Sequence, residues 1–133
     1  MNASSPTQAV DLFTEALRRK DLEACVGLKG FAVEAQMILE NRKKKYPDEV
    51  TPADFITRVA SLLEDGFRKE KAERGFPDLA GVTWQTTIRE EIAPDQVIVS
   101  QAFTWSDGTQ SEENLLVAKT TDGWRVLIPP RKS

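Results

Sequence analysis

The chain has 133 residues, 18 basic and 21 acidic side chains, and a formal net charge of −3. A chain of this length is typical of one domain, here 1–133, that buries a hydrophobic core without disulfides or metals. It contains no histidine, which excludes Ser-His and Cys-His nucleophiles and most zinc sites, and its charge balance does not favour nucleic-acid binding.

The single cysteine and the amino-terminal residues bear on the compartment. Cys25 can form no disulfide within the chain, and its apolar neighbours predict a buried, unreactive thiol. The apolar runs are too short to span a membrane. Residues 1–5 have no basic region and no hydrophobic stretch, so they do not resemble a signal peptide. We expect a cytoplasmic protein, with export after removal of a leader as the alternative.

The first half of the chain, about 5–75, predicts helices. Ser5 is an N-cap, Pro6 suits the first helical position, and Gln8 is a capping-box partner. Asp21 caps a second, short helix that runs to about Leu28. The apolar residues of the first helix recur at helical spacing: Val10, Phe13, Ala16 and Leu17.

Two longer helices follow. The first carries Phe31, Ala35, Ile38 and Leu39, and the Tyr46-Pro47 pair ends it. The start signal Thr51-Pro52-Ala53-Asp54 opens the last helix, which Gly75 terminates. Its apolar stripe is predicted to pack on the sheet as core: Phe55, Val59, Leu62, Leu63, Gly66 and Phe67.

From Val82 the hydrophobic period changes to two, which predicts an antiparallel sheet over about 82–129. The sheet face that we expect in the core carries Val97, Val99, Leu115, Val117 and Val126. A two-residue Pro94-Asp95 loop gives these pairs: Ile92 with Val97, Glu90 with Val99, Ile88 with Gln101, and Trp84 with Trp105.

The other two turns complete a four-stranded meander. A two-residue Asp122-Gly123 loop pairs Val126 with Lys119 and Ile128 with Val117. This pairing points the odd-numbered residues of the third strand inward. The middle loop gives the same inward face only if it has three residues, Ser106-Asp107-Gly108, with Gly108 left-handed. This middle turn pairs Val99 with Leu115 and Val97 with Val117.

Two segments resemble the nuclear transport factor 2-like (NTF2-like) superfamily. They are Ser5-Pro6-Thr7-Gln8-Ala9-Val10 continuing to Lys20-Asp21-Leu22, and the ending Thr121-Asp122-Gly123-Trp124-Arg125-Val126. The resemblance implies an α+β fold, with N-terminal helices packed on a curved, cone-shaped antiparallel meander. The superfamily includes ketosteroid isomerase-like enzymes, dehydratases, ligand carriers and dimerisation modules, so fold alone does not assign a function.

The chain departs from the catalytic relatives, which use an Asp with His, or Asp and Tyr donors. It has no histidine, and its only tyrosine, Tyr46, lies at a Lys-rich helix end. The resemblance therefore transfers a fold and a pocket but no catalytic residue. No glycine-rich phosphate loop or metal-ligand spacing is present, and we expect no cofactor and no metal.

The predicted ligand pocket is the inward sheet face with its polar and aromatic residues: Trp84, Thr86, Glu90, Gln101, Phe103, Trp105 and Glu113. Glu90 and Glu113 lie two strand spacings apart, roughly 10 Å, and are the candidate proton-transfer groups. The alternative is that they are solvated, or paired with Lys119 or an arginine. The aromatic residues either pack as core or form the wall for a flat apolar ligand.

Basic runs end the predicted helices: Arg18-Arg19-Lys20, Arg42 to Lys45, and Arg68, Lys69, Lys71 and Arg74. Cations at these positions complement the helix dipole, so we expect no nucleic-acid partner. The outward sheet face carries an apolar patch of Ile98, Ala102, Leu116, Ala118 and Leu127, which predicts a homodimer. The alternative is that the N-terminal residues or the 76–81 loop cover this patch.

These patterns favour a non-catalytic ligand-binding or protein-interaction domain that takes a small apolar or amphipathic ligand. The alternative is a ketosteroid isomerase-like or dehydratase-like enzyme that uses Glu90 or Glu113 for proton transfer. A third possibility is an interaction partner whose interior is packed solid. A cavity of a few hundred Å³ separates the first two from the third.

Overall fold

The computed structural model describes residues 3–127, in which four helices precede a four-stranded antiparallel sheet, the predicted α+β class. The helices are α1 (Pro6–Arg18), α2 (Leu22–Leu28), α3 (Phe31–Lys45) and α4 (Phe55–Arg74). The strands are β1 (Thr83–Ala93), β2 (Gln96–Thr104), β3 (Gln110–Thr120) and β4 (Gly123–Val126). Two compact units are present: residues 3–29 with 76–127, and residues 30–75. The predicted sheet residues 128 and 129 lie outside the described part.

The start of α1 follows from its capping residues. The Ser5 hydroxyl accepts a hydrogen bond from the Gln8 N–H at 3.1 Å, and Pro6 occupies the first helical position. The reciprocal half of the predicted capping box is shifted by one residue. The Gln8 side-chain oxygen accepts from the Ser4 N–H at 2.6 Å, and not from the N–H of Ser5.

The core of the first unit lies between α1 and the sheet. The buried α1 residues are Ala9, Val10, Phe13, Thr14 and Ala16, and α1 contacts all four strands. The sheet face predicted as core is buried throughout: Val97, Val99, Leu115, Val117 and Val126. Asp21 caps α2 as predicted, through its carboxylate and the Ala24 N–H at 3.1 Å. Cys25 is fully buried, as its apolar neighbours indicated.

In the second unit, α3 and α4 pack against each other. The rings of Phe31 and Phe67 meet edge to face, with centroids 6.0 Å apart. The predicted start of α4 at Thr51-Pro52-Ala53-Asp54 is too early. These residues form a separate turn in which the Phe55 N–H donates to the Pro52 carbonyl, and α4 begins at Phe55. The helix ends as predicted at Gly75. Its φ of +75° is a backbone conformation that glycine adopts without the strain that other residues incur.

The prediction that Leu62 belongs to the core is wrong. This side chain is 68% exposed, and no residue of α4 is buried. The half-buried apolar residues of α4 form a stripe that leaves out Leu62: Phe55, Ile56, Val59, Ala60, Leu63 and Phe67. A stripe of this width, packed against α3, leaves the neighbouring Leu62 position in solvent.

The middle hairpin of the sheet confirms the predicted register. Val99 lies opposite Leu115, and Val97 lies opposite Val117. The Trp105 N–H donates to the Thr109 carbonyl at 2.8 Å, so the loop between them has three residues, 106–108. Gly108 has a φ of +87°, as the bulged three-residue turn requires.

The β1–β2 register is correct only next to its turn. Ala93 lies opposite Gln96, as a two-residue loop demands, but the register shifts twice farther along β1. The shifts fall between Ile88 and Glu90 and between Glu91 and Ala93. Each shift inserts an extra residue into β1. The β1 side chains on the side of the shift away from the turn then point to the opposite sheet face. The pairs that result are Trp84 with Phe103, Ile88 with Val99, and Glu90 with Ile98.

The β3–β4 turn also differs from its prediction. Thr120 pairs with Gly123, so the loop is Thr121-Asp122, and Val126 lies opposite Val117 and not Lys119. The Thr120 hydroxyl donates to the Gly123 carbonyl at 2.7 Å and accepts from the Asp122 N–H at 3.2 Å. These bonds close the turn one residue earlier. The earlier turn moves the β3 partner of Val126 by two positions, from Lys119 to Val117. Because side chains alternate with a period of two, the face of β3 that points to the core is unchanged.

Candidate ligand-binding cavity

A cavity of about 340 Å³ lies between α1, the segment before β1 and the inner face of β2 and β3. All of its lining residues belong to the first unit, residues 3–29 with 76–127. Those lining residues are Phe13, Thr14, Leu17, Pro77, Leu79, Gln101, Phe103, Trp105, Ser111, Glu112, Glu113 and Leu115. This set includes four of the seven predicted pocket residues.

One polar pair lies in the apolar wall. Gln101 on β2 is 1% exposed and Thr14 on α1 is 3% exposed. The Gln101 side-chain N–H donates to the Thr14 hydroxyl oxygen at 2.7 Å, which satisfies part of a buried amide. The Thr14 hydroxyl keeps its own proton, and the Gln101 amide keeps a carbonyl oxygen and a second N–H. The pair therefore has hydrogen-bonding capacity to offer a bound molecule.

The aromatic wall centres on Phe103. Its ring centroid lies 6.4 Å from that of Trp84 and 5.8 Å from that of Trp105. The Trp105 indole N–H donates to the Ser111 hydroxyl at 2.7 Å, which orients the indole. Leu79 and Val82 complete a buried cluster with Phe103. The predicted direct pairing of Trp84 with Trp105 is wrong, because the shifted register places Trp84 opposite Phe103.

One carboxylate lies on the cavity side of the sheet. Glu113 lies opposite Gln101, as the predicted register required, and shares its face. Its neighbour Glu112 borders the cavity but lies opposite Ala102, so its side chain points to the other sheet face. Glu113 is exposed, so its carboxylate remains hydrated at the solvent side of the cavity. No lysine or arginine is among the lining residues in the described part of the chain. The cavity therefore has a negative rim.

Trp84 and Thr86 have a different role from the predicted one. The Asp11 carboxylate accepts hydrogen bonds from the Trp84 indole N–H at 3.2 Å and from the Thr86 hydroxyl at 2.6 Å. The Arg18 guanidinium lies 5.6 Å from the Trp84 ring centroid. These contacts join α1 to β1, and neither Trp84 nor Thr86 lines the cavity.

Glu90 does not join Glu113. The register shift between Glu91 and Ala93 places Glu90 opposite Ile98, on the sheet face opposite to that of Gln101. Its side chain is exposed there. The predicted convergence of the two carboxylates is wrong, because the pattern of alternation does not reveal the extra residue in β1.

The predicted dimer patch is not an uncovered surface. Leu116 is 7% exposed, Ala118 is 2% exposed and Leu127 is 1% exposed, while Ile98 is half-buried and Ala102 is exposed. Residues outside the named strands also pair with the end of the sheet at β4. Ala3 pairs with Trp124, Lys29 pairs with Val126, and the Leu127 N–H donates to the Leu116 carbonyl at 2.8 Å. A homodimer stays a prediction, without an open patch as its basis.

Sequence reasoning missed the helical half of the cavity. Phe13, Thr14 and Leu17 come from α1, and Leu79 comes from the loop before β1. One available signal was Thr14, a polar residue within an otherwise apolar helical stripe. A buried polar group requires a partner, so Thr14 indicated a hydrogen bond across the core.

Neither a metal-ion cluster nor a membrane-spanning helix is found among residues 3–127. No group of three or more cysteine or acidic side chains there is arranged to hold a metal ion. None of the helices in that range combines the length and apolar character that crossing a membrane requires.

No protein-family model matches the sequence, and the curated proteins contain no match to it. Three solved structures are similar to the chain. A protein of Thiobacillus denitrificans assigned as a calcium/calmodulin-dependent protein kinase type II association domain is 17% identical, with 98% of this chain and 99% of that chain covered and a TM-score of 0.49. A protein of Campylobacter jejuni assigned as an NTF2-like transpeptidase is 17% identical, with 93% and 99% covered and a TM-score of 0.46. A protein of Streptomyces avermitilis assigned as a dehydratase of the NTF2-like family is 14% identical, with 93% and 92% covered and a TM-score of 0.44.

Proposed function

We propose that this protein binds a small amphipathic molecule in the cavity between α1 and the sheet, and that it does so without chemical transformation. The observation that carries this proposal is a cavity of about 340 Å³ with apolar walls and a buried Thr14–Gln101 pair. Small-molecule sites have this composition: an apolar lining with a few placed polar groups. The volume is near the lower end of the usual range, which favours a compact ligand.

The cavity walls define how such a molecule would lie. Phe13, Leu79 and Leu115 provide apolar surface, and Phe103 and Trp105 provide aromatic faces. A ligand body of matching shape gains free energy by leaving water, at about 25 cal/mol for each Å² of apolar surface buried. Its polar atom finds the Thr14 hydroxyl or the Gln101 amide, so that desolvation does not leave it unpaired.

The position of the acidic residues supports binding over catalysis. Proton transfer between two groups on a substrate requires an acid and a base at the reacting atoms. Glu90 lies on the opposite sheet face, and Glu113 is exposed. A single hydrated carboxylate at the rim supplies electrostatic attraction more readily than controlled proton transfer.

The test is ligand binding with a blocked cavity. N-phenylnaphthylamine is a neutral dye that fluoresces when it leaves water. We expect its fluorescence to rise with the unmodified protein and to fall sharply with Leu17→Trp, which fills the cavity. Leu62→Trp is the matched control, because it makes the same substitution at an exposed position of α4. Circular dichroism verifies that both variants are folded.

A second measurement does not depend on any variant. Amide chemical shifts of the unmodified protein, recorded with and without the dye, should change at Thr14, Gln101 and Phe103. Equal dye binding by the Leu17→Trp and Leu62→Trp variants, or shift changes confined to other residues, would contradict the proposal.

The enzymatic alternative keeps one supporting observation, which is that Glu113 lines the cavity opposite Gln101. In a dehydratase-like or isomerase-like reaction, this carboxylate would move the proton. Its test is to incubate an identified ligand with the protein and to follow its conversion by mass spectrometry. Loss of water or isomerisation that Glu113→Gln abolishes would favour the enzyme, whereas an unchanged ligand favours the carrier.

A further inference from the structure

We infer that the molecule bound in this cavity is an organic cation, an ammonium group on an apolar body. The inference rests on the proposed function and names its ligand class. Its basis is that the cavity combines a negative rim with aromatic walls and neutral polar groups inside. Each of these features selects among ligands of the same shape but different charge.

The rim has the Glu113 carboxylate and no opposing cation. Glu113 lines the cavity and is exposed, and the described lining residues include no lysine or arginine. Arg18 follows the lining residue Leu17, but it does not line the cavity. Its guanidinium pairs with the Glu15 carboxylate at 2.6 Å and lies over the Trp84 ring. An anionic ligand at this rim would be repelled, and a cation would be attracted.

The walls add a second preference for positive charge. Phe103 and Trp105 both line the cavity, and their ring centroids are 5.8 Å apart. An aromatic face carries partial negative charge and attracts ammonium groups. The same attraction operates beside the cavity, where the Arg18 guanidinium lies 5.6 Å from the Trp84 ring centroid. An ammonium group at the rim would therefore find both carboxylate and ring partners.

The interior of the cavity is neutral. Thr14 and Gln101 provide a hydroxyl and an amide, which satisfy a neutral polar atom but do not compensate a buried charge. The charged end of the ligand therefore stays at Glu113, and the apolar body extends along Phe13 and Leu115. This orientation leaves every charge hydrated or paired.

The test compares three probes of one shape: phenylbutylamine, phenylbutanol and phenylbutyrate. Calorimetric titration of the full chain at low ionic strength should give affinities that decrease in the order amine, alcohol, carboxylate. We expect the amine to bind about tenfold tighter than the alcohol, which corresponds to one modest charge interaction. The variant Glu113→Gln should remove this tenfold advantage and leave the affinity for the alcohol unchanged. Added salt should also reduce the affinity advantage of the amine, because it screens the charge interaction.

The control variant is Glu91→Gln, which removes one exposed acidic residue that does not line the cavity. It should leave the ratio of amine to alcohol affinity unchanged. Equal affinities for amine and alcohol, or tighter binding of the carboxylate, would overturn the cation inference while the proposed binding function stands. If none of the three probes and no neutral dye binds, both the inference and the proposed function are wrong.

Discussion

The side-chain amide of Gln101 on β2 donates a 2.7 Å hydrogen bond to the hydroxyl of Thr14 on α1, across a sequence separation of 87 residues. Both residues are buried, and both line the cavity. The bond fixes α1 against the sheet and also places a buried side-chain pair at the proposed site. Stability and binding therefore share these two residues.

Thr14→Val should lower the free energy of unfolding by about 1–3 kcal/mol, because it keeps the shape of the side chain but leaves the buried Gln101 N–H without its acceptor. Urea unfolding measures the change. Thr14→Ser retains the hydroxyl and should recover most of the loss that is due to the hydrogen bond. A Thr14→Val protein as stable as the unmodified one would show that the bond contributes nothing.

Leu116→Arg should destabilise the single chain, and not merely separate two copies. Leu116 is 7% exposed, so the variant buries an unpaired charge, at a cost of about 3 kcal/mol or more. Ala102→Arg is the control, because Ala102 is an exposed residue on the same sheet face. Thermal unfolding with sedimentation separates the two effects. A stable monomeric Leu116→Arg variant would restore the surface-patch interpretation.

Leu62→Ala should change the free energy of unfolding by less than about 1 kcal/mol, since the Leu62 side chain is already 68% exposed. Leu39→Ala in α3 is the matched comparison. Leu39 is 8% exposed, so its truncation should cost about 2–5 kcal/mol. The two variants are compared by urea unfolding under the same conditions. A large loss for Leu62→Ala would contradict the exposure of this position.

The turn before β3 should affect stability at acidic pH. The Thr109 hydroxyl and N–H both donate to the Asp107 carboxylate, at 2.6 and 2.9 Å, and hold the pKa of Asp107 below its ordinary value of 3.8. A carboxyl whose pKa is lower in the folded state stabilises the fold above its ordinary pKa. That contribution is lost as the pH falls through the folded-state pKa.

Carboxyl-resolved NMR titration tests this relationship. Thr109→Val removes the hydroxyl donor but keeps the backbone N–H, so the pKa of Asp107 should rise part of the way toward its ordinary value. The control variant is Asp122→Asn, in another exposed turn, which should leave the pKa of Asp107 unchanged. An Asp107 titration unaffected by Thr109→Val would refute the assigned cause.

The sequence by itself determined the elements and most of their ends. Ser5 and Asp21 cap helices, Gly75 ends one, and Gly108 forms the left-handed position of a three-residue turn. Each of these signals acts within a few residues, through a backbone conformation or a local hydrogen bond. The alternation along β2 and β3 also predicted which sheet face is buried, since one face of an antiparallel pair must pack.

Only the tertiary structure decided which chemical groups meet. The extra residue between Glu90 and the turn moves Glu90 to the face opposite Glu113, and the folded chain buries Leu116. The cavity itself is the space left between α1 and strands that follow it by more than eighty residues. Strand pairing and helix docking balance many distant contacts at once, so no local pattern in the chain specifies the partners of Thr14 or Glu113.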